Sequence, residues 1–262
     1  MRRLGVGYRQ PLTNWINSHP AQLNCLEITA EHFFDDVTKL ADLREHYELL
    51  VHGLGLSLGT PGPLDSTYLQ RFASICEIAQ PLWISEHIAF TRTADIDLGH
   101  LNPIPYTSDT LAYFVDHALE VKAYCQRPLL LENITSHINI NSPLSETTFI
   151  NEVCERASCY LLLDVTNLFV NSHNHGYSPL QWLQEIHPAF IKQLHIVGYS
   201  ERNGTFYDSH ADDIQQELYQ LTQQVITYSQ VETIIIERDQ NFPSESQLGQ
   251  ELANLEYCFE AY

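Results

Sequence analysis

Six of the eight short apolar runs in this chain stop on, or one residue short of, a side chain able to bind a metal ion. They are YELLVH, ending at His52; PLWISEH, at His87; PLLLEN, carrying Glu132; YLLLDV, carrying Asp164; IKQLH, at His195; and TIIIE, at Glu237. Two further runs, LGVGYR and NCLEIT, precede them. Short apolar runs of this kind read as parallel strands covered on both faces. Eight of them, separated by segments of helix length, predict an α/β fold, a (β/α)8 TIM barrel. In that fold the chemistry lies where the C-terminal ends of the strands meet. Residues scattered over the whole sequence would then converge.

The strands are expected at about 4–9, 24–29, 47–53, 81–87, 128–133, 159–165, 191–197 and 233–238. Helical spacing of apolar residues follows in LDSTYLQRFASICEIA, in SDTLAYFVDHALEVKAYC with Ser108 as N-cap, and in SETTFINEVCERA, which starts with Ser145 and places a Glu nearby. DDIQQELYQLTQQVITYS and SQLGQELANLEYCFEA are amphipathic as well. Residues 88–106 and 198–210 carry no such pattern and read as long loops shaping the catalytic face. A length of 262 residues suits one barrel, so residues 1–262 are expected to form a single domain.

The two N-terminal arginines lack a following apolar run, so the segment reads as a first strand and not a signal peptide. No segment approaches the roughly 18 to 20 apolar residues of a membrane span. The expectation is a soluble, cytoplasmic protein without a membrane partner. None of the six cysteines forms a CxxC pair, so they read as buried, reduced thiols. The 33 acidic and 13 basic residues give a net charge of −20, which opposes a phosphate backbone; nucleic acid is not an expected partner.

His52 and His87 offer imidazoles, and Glu132 can bridge two cations with its two oxygens. Asp164, His195 and Glu237 complete a second set. Asn167, three residues past Asp164, could make a third site with the D-x-H pair Asp208 and His210. Each residue alone has a plainer reading: a strand-end Asp caps the next helix, and a strand-end His often just hydrogen-bonds. Burying all of them without a cation would be costly, so the joint pattern predicts a cluster of metals. Imidazole and carboxylate without thiolate suit zinc, manganese or non-haem iron. LGVGYR lacks the third glycine of a dinucleotide fingerprint, and GLGLSLGT reads as a tight loop beside the metals rather than a phosphate cradle.

Taken as one string, GVGYR, LEITAEHFF, LLVHGLGLSLG, ISEHIAF, HLNPIPYT, LLLENI, LLLDVTNLFVNSHNHG, QLHIVGY, DSH and IIIERD resemble the multinuclear non-haem iron-dependent oxidases. The resemblance runs from about residue 4 to residue 240. It implies a xylose isomerase-like, endonuclease IV-like barrel. It further implies two or three Fe ions and O2 as co-substrate. The substrate implied is a Cys-containing, ribosomally made precursor peptide, presented by a small partner protein. The ligands carry over as His52, His87 and Glu132 for one metal, and Glu132, Asp164, His195 and Glu237 for the next. Asn167, Asp208 and His210 hold the third, with Asn where endonucleases carry His. Glu27, Glu31, His100 and Asn133 are candidates for orienting the peptide or relaying protons. HLNPIPYT is shorter than the family's usual segment, and TAEH and LLLENI depart from its usual residues near the barrel mouth. Two other reactions fit such a barrel: a metal-dependent phosphodiesterase of the endonuclease IV type, and a sugar isomerase. The acidic charge and Asn167 argue against the first, and the absence of a lysine at any expected strand end against the second.

Overall fold

The structure, a computed structural model, describes residues 2–93 and 96–260. Eight parallel strands close into a barrel: β1 (Arg3–Gly7), β2 (Cys25–Thr29), β3 (Glu48–His52), β4 (Ile84–His87), β7 (Leu129–Glu132), β8 (Tyr160–Asp164), β9 (Ile191–Ile196) and β12 (Thr233–Ile236). Their order around the barrel is β1-β12-β9-β8-β7-β4-β3-β2. The fold is therefore the expected (β/α)8 barrel, and each expected strand is present, its ends within three residues of the expectation.

Helices clothe the barrel: α1 (Thr13–Ile16), α2 (Thr38–His46), α3 (Ser66–Ala79), α4 (Ser108–Cys125), α5 (Glu146–Ala157), α6 (Val165–His175), α7 (Pro179–Glu185), α8 (Gln216–Tyr228) and α9 (Glu245–Glu260). Among the described residues no helix is long and apolar enough to cross a membrane. Ser145 caps α5 by accepting from Thr148 N–H. The cap of α4 is one residue earlier than the sequence implied: Thr107 accepts from Thr110 N–H, so Ser108 is the first helical residue. All six cysteines are free thiols, five of them buried and Cys125 partly so.

The two segments expected to be loops are hairpins over the barrel mouth. One pairs β5 (Phe90–Arg92) with β6 (Asp97–Asn102), and the other pairs β10 (Gly198–Arg202) with β11 (Thr205–Asp212). The second turns at Asn203 and Gly204, both at positive φ. Asn-Gly is the favoured two-residue turn whose twist matches the flanking strands. That signal stands in the sequence but lacks flanking apolar alternation, and so reads as loop.

The apolar core has two parts. The larger lies between barrel and helices. The smaller, inside the barrel, comprises Cys25, Leu50, Trp83, Leu130, Leu162 and Ile235. Strand side chains alternate faces with a period of two. The residues two positions further along are therefore also interior, one layer nearer the C-terminal mouth. Those residues are Glu27, His52, Ser85, Glu132, Asp164 and Glu237. A dry apolar floor thus lies under a layer of charge. The Gly5 position of β1 faces the same floor. A β-carbon there would come within 2.6 Å of the Cys25 sulfur and 2.7 Å of Ile235, which explains a glycine in LGVGYR without a nucleotide.

Candidate metal centre

The barrel register sets the charged layer. His87 of β4 lies beside Glu132 of β7, and Asp164 of β8 lies beside His195 of β9. His52 and His87 end their strands, as do Glu132 and Asp164; Glu237 follows β12 directly. All six are buried.

Glu132 stands between two groups. Its Oε2 is 3.4 Å from His52 Nε2 and 3.5 Å from His87 Nε2. Its Oε1 is 3.1 Å from His195 Nδ1, which is also 2.9 Å from Glu237 Oε2. His52, His87 and Glu132 each offer an atom within 4.8 Å of the others, and so do Glu132, Asp164, His195 and Glu237. The nitrogens facing away from the centre are held as well. His52 Nδ1 is 2.8 Å from Ser85 Oγ, His87 Nδ1 is 3.2 Å from Glu86 Oε1, and His195 Nε2 is 2.7 Å from Glu27 Oε1. Partners on the second ring nitrogen fix the orientation of metal-binding histidines.

Asp164 has two tasks, one per oxygen. Its Oδ1 accepts from Asn167 N–H at 2.7 Å and caps α6, while Oδ2 has no hydrogen-bond partner. Glu132 Oε2, His52 Nε2, Asp208 Oδ1 and His210 Nδ1 likewise lack hydrogen-bond partners and are closed to solvent. Unmade hydrogen bonds on buried charge are costly. Gaps closed to water can still hold an ion, so the residues present fit metals.

The electrostatics agree. Burial, with Asp208 and Glu132 nearby, pushes Asp164 well above the ordinary carboxyl range. Burial opposes charge on His87, but Glu132 and Glu86 outweigh it and raise the group to about 9. Burial likewise opposes charge on His195, yet Glu27, Glu132 and Glu237 hold it well above its ordinary value. Glu237 stays well below its ordinary value despite burial, through His195 and His210. In the absence of cations, protons on His87 and His195 offset the carboxylates, while burial and the neighbouring His87 hold His52 well below its ordinary value. A metal ion would take that role and relieve the repulsion at Asp164.

The third set is arranged differently from the sequence expectation. His210 Nε2 is 2.9 Å from Asp208 Oδ2, so the D-x-H pair is formed. His210 Nδ1, however, faces Asp239 Oδ2 at 3.2 Å and Glu237 Oε2 at 3.9 Å. Asn167 uses both ends of its carboxamide elsewhere: Nδ2 donates to Asn133 O at 3.0 Å, and Oδ1 accepts from the Thr135 hydroxyl. Asp239 and Arg9 are site residues that sequence reasoning passed over. Arg9 Nε donates to Asp239 Oδ1 at 2.6 Å, and its Nη2 lies 3.3 Å from Glu237 Oε1. Both stand in motifs, GVGYR and IIIERD, whose periodicity marks them only as strand ends.

The four residues suggested for peptide orientation or proton relay separate into two pairs. Glu27 is buried in the barrel interior, against His195. Asn133 braces β8, donating to Asp164 O at 3.0 Å and accepting from Asp164 N–H at 2.9 Å. Glu31 and His100 instead line a cavity of about 320 Å³ near the mouth, with Tyr68 and Arg92. Glu31 accepts from Leu54 N–H and the Tyr68 hydroxyl; burial and Glu86 raise its carboxyl above the usual range. His100 is exposed, its Nδ1 2.7 Å from Leu98 O.

A closed (β/α)8 barrel with a buried imidazole and carboxylate layer at its mouth is an architecture able to hold metal ions. Solved structures share the fold. They include a putative xylose isomerase from Rhodospirillum rubrum (TM-score 0.65, 14% identity, 100% of this chain and 99% of that one). Endonuclease IV from Thermus thermophilus is another (TM-score 0.62, 14% identity, 99% of this chain and 100% of that one). Sequence comparison is more specific. UPF0276 proteins of Vibrio vulnificus and Psychromonas ingrahamii are 32% identical over 249 residues and 31% identical over 258. These alignments cover 92% of this chain and 86% of the Vibrio protein, and 95% of this chain and 91% of the Psychromonas protein. The family model described as RiPP precursor modification enzyme MbnB/TglH/ChrH matches residues 3–260, and this chain belongs to that family.

Proposed function

We propose that this protein is an iron- and dioxygen-dependent oxidase that modifies cysteine residues of a ribosomally made precursor peptide. The observation that carries the reading is Glu132, shared by two buried ligand groups, in a chain of the precursor-modification family. His52, His87 and Glu132 would hold one iron, and Glu132, Asp164, His195 and Glu237 a second. Asp208 and His210, with Asn167 or Asp239, would hold a third. Bound iron would supply the redox chemistry, anchoring the substrate thiolate and activating dioxygen. The protein's own residues do the rest. Ser85, Glu86 and Glu27 orient the three histidines through their outer nitrogens. Asn133 and the α6 cap fix Asp164. The barrel wall and its apolar floor exclude water from below. Glu31, His100 and the two hairpins would orient the peptide at the mouth, where a small partner protein presents it.

Anaerobic purification, elemental analysis and oxygen uptake with a Cys-containing precursor peptide test the proposal. The expected result is at least two irons per chain and peptide-dependent oxygen consumption. Zinc alone, with turnover undiminished after iron removal, would overturn it.

A further inference from the structure

A Gln and a Trp occupy the barrel interior beneath the centre, where neither has an obvious place. Gln193 is fully buried and Trp83 nearly so. The Trp83 indole N–H donates to Gln193 Oε1 at 2.6 Å. The Gln193 amide donates to Glu27 Oε2 at 2.5 Å. The other oxygen of Glu27 is 2.7 Å from His195 Nε2, and His195 Nδ1 faces Glu132 and Glu237. Four buried side chains therefore form one hydrogen-bonded line from the apolar floor to the candidate metal centre.

The line has a fixed direction. An indole N–H can only donate. It forces the oxygen of Gln193 toward Trp83 and the NH2 toward Glu27. A carboxylate that takes one N–H accepts again from its other side, so His195 Nε2 carries the proton. The Gln193 amide nitrogen also comes within 3.2 Å of His195 Nε2, and would donate to it were the ring in the other tautomer. The shorter, charge-assisted contact to Glu27 decides for the N–H form. In the neutral ring that a metal ion would bind, Nδ1 is then the nitrogen with the lone pair, and it is the one that faces the shared carboxylate.

We infer that Trp83 and Gln193 are positioning residues, which act through Glu27 to present His195 Nδ1 to a metal ion. The inference rests on the metal-centre reading above and goes further, because it assigns two residues that offer no atom to a metal themselves. Outer partners of metal-binding histidines matter by about 10- to 100-fold in metal affinity.

The test is cobalt(II) binding to the full-length protein, stripped of metal and reloaded, in Gln193→Met, Trp83→Phe and Leu130→Val. Leu130 is buried in the same interior cluster as Trp83 and serves as the packing control. In the wild type, cobalt-shifted proton spectra should show an exchangeable histidine N–H that resists exchange with deuterium oxide. Gln193→Met should lose about 10- to 100-fold in affinity for one of the cobalt ions and lose or speed the exchange of that signal. Trp83→Phe should shift both in the same direction by less, and it carries the test if Gln193→Met fails to fold. Leu130→Val should lower stability while leaving affinity and signal in place. Wild-type affinity and an unchanged signal in Trp83→Phe and in any folded Gln193→Met would overturn the positioning role alone. A wild type that binds no cobalt would overturn the metal centre and the positioning role together.

Discussion

Asp164 shows how one residue can satisfy two sequence readings at once. As a strand-end acid it reads equally as helix cap and as metal ligand. In the structure one oxygen caps α6 and the other faces the centre without a partner. Glu132 is different, since both of its oxygens face histidines of the centre. Glu132→Gln should therefore lose more bound metal than His210→Gln, as on the proposed ligand sets it removes a carboxylate common to two ions and His210→Gln affects one. Metal content per chain in both variants checks this, and equal loss would count against a bridging Glu132. His87 supports a prediction in pH. Its folded value of about 9 lies above the ordinary 6.5, so its protonation stabilises the metal-free protein below about pH 6.5. That stability is lost as pH rises towards 9. A metal ion replaces the proton, so the melting temperature of the metal-free protein should fall over this window and the gain on adding metal should grow. Thermal scans with and without metal from pH 6.5 to 9 measure both; a constant gain would contradict protonated His87 as the stand-in cation.

At the scale of elements, the strand ends were legible because an apolar run followed by one polar residue marks both a buried strand and the side chain at its mouth. The hairpins were not, because β6 and β11 are largely half-exposed and carry no apolar period. What defines β10–β11 is its turn. Gly204 has φ of 79° and Asn203 of 54°, backbone that a β-branched residue adopts only under strain. The same hairpin carries Asp208 and His210, and His210 itself sits at positive φ with its carbonyl held by Asp239 N–H and Gln240 N–H. Gly204→Val should thus disturb the third ligand set while sparing the layer built on strand ends. The expected outcome is loss of one metal per chain, full retention of the metal held by the strand-end layer, and a fall in stability of about 1–2 kcal/mol. Metal titration together with chemical denaturation checks it. Loss of all metals in a folded protein would show that the hairpin supports the whole centre.

Across the whole molecule, eight strands and their order follow from composition and periodicity, yet the interior does not. Nothing in IKQLH distinguishes a solvent-facing Gln193 from one buried in the barrel, because period-two alternation fixes which residues share a face and not which face holds polar groups. The charge of the molecule is legible throughout. With 33 acidic against 13 basic residues, the net charge is −20. A polyanion approaching such a molecule gains no counterion release and meets net repulsion. The cations flanking the centre are already paired, Arg9 with Glu237 and Asp239, and Arg92 with Asp65. Abasic duplex DNA, the natural substrate to try if the barrel were a phosphodiesterase, should therefore bind negligibly at physiological salt despite a fold shared with endonuclease IV. Fluorescence anisotropy with labelled abasic duplex, with the metal-loaded protein and across a salt series, measures this. Binding that strengthens as salt falls, accompanied by strand cleavage at enzymatic rates, would move the assignment from oxidation to hydrolysis.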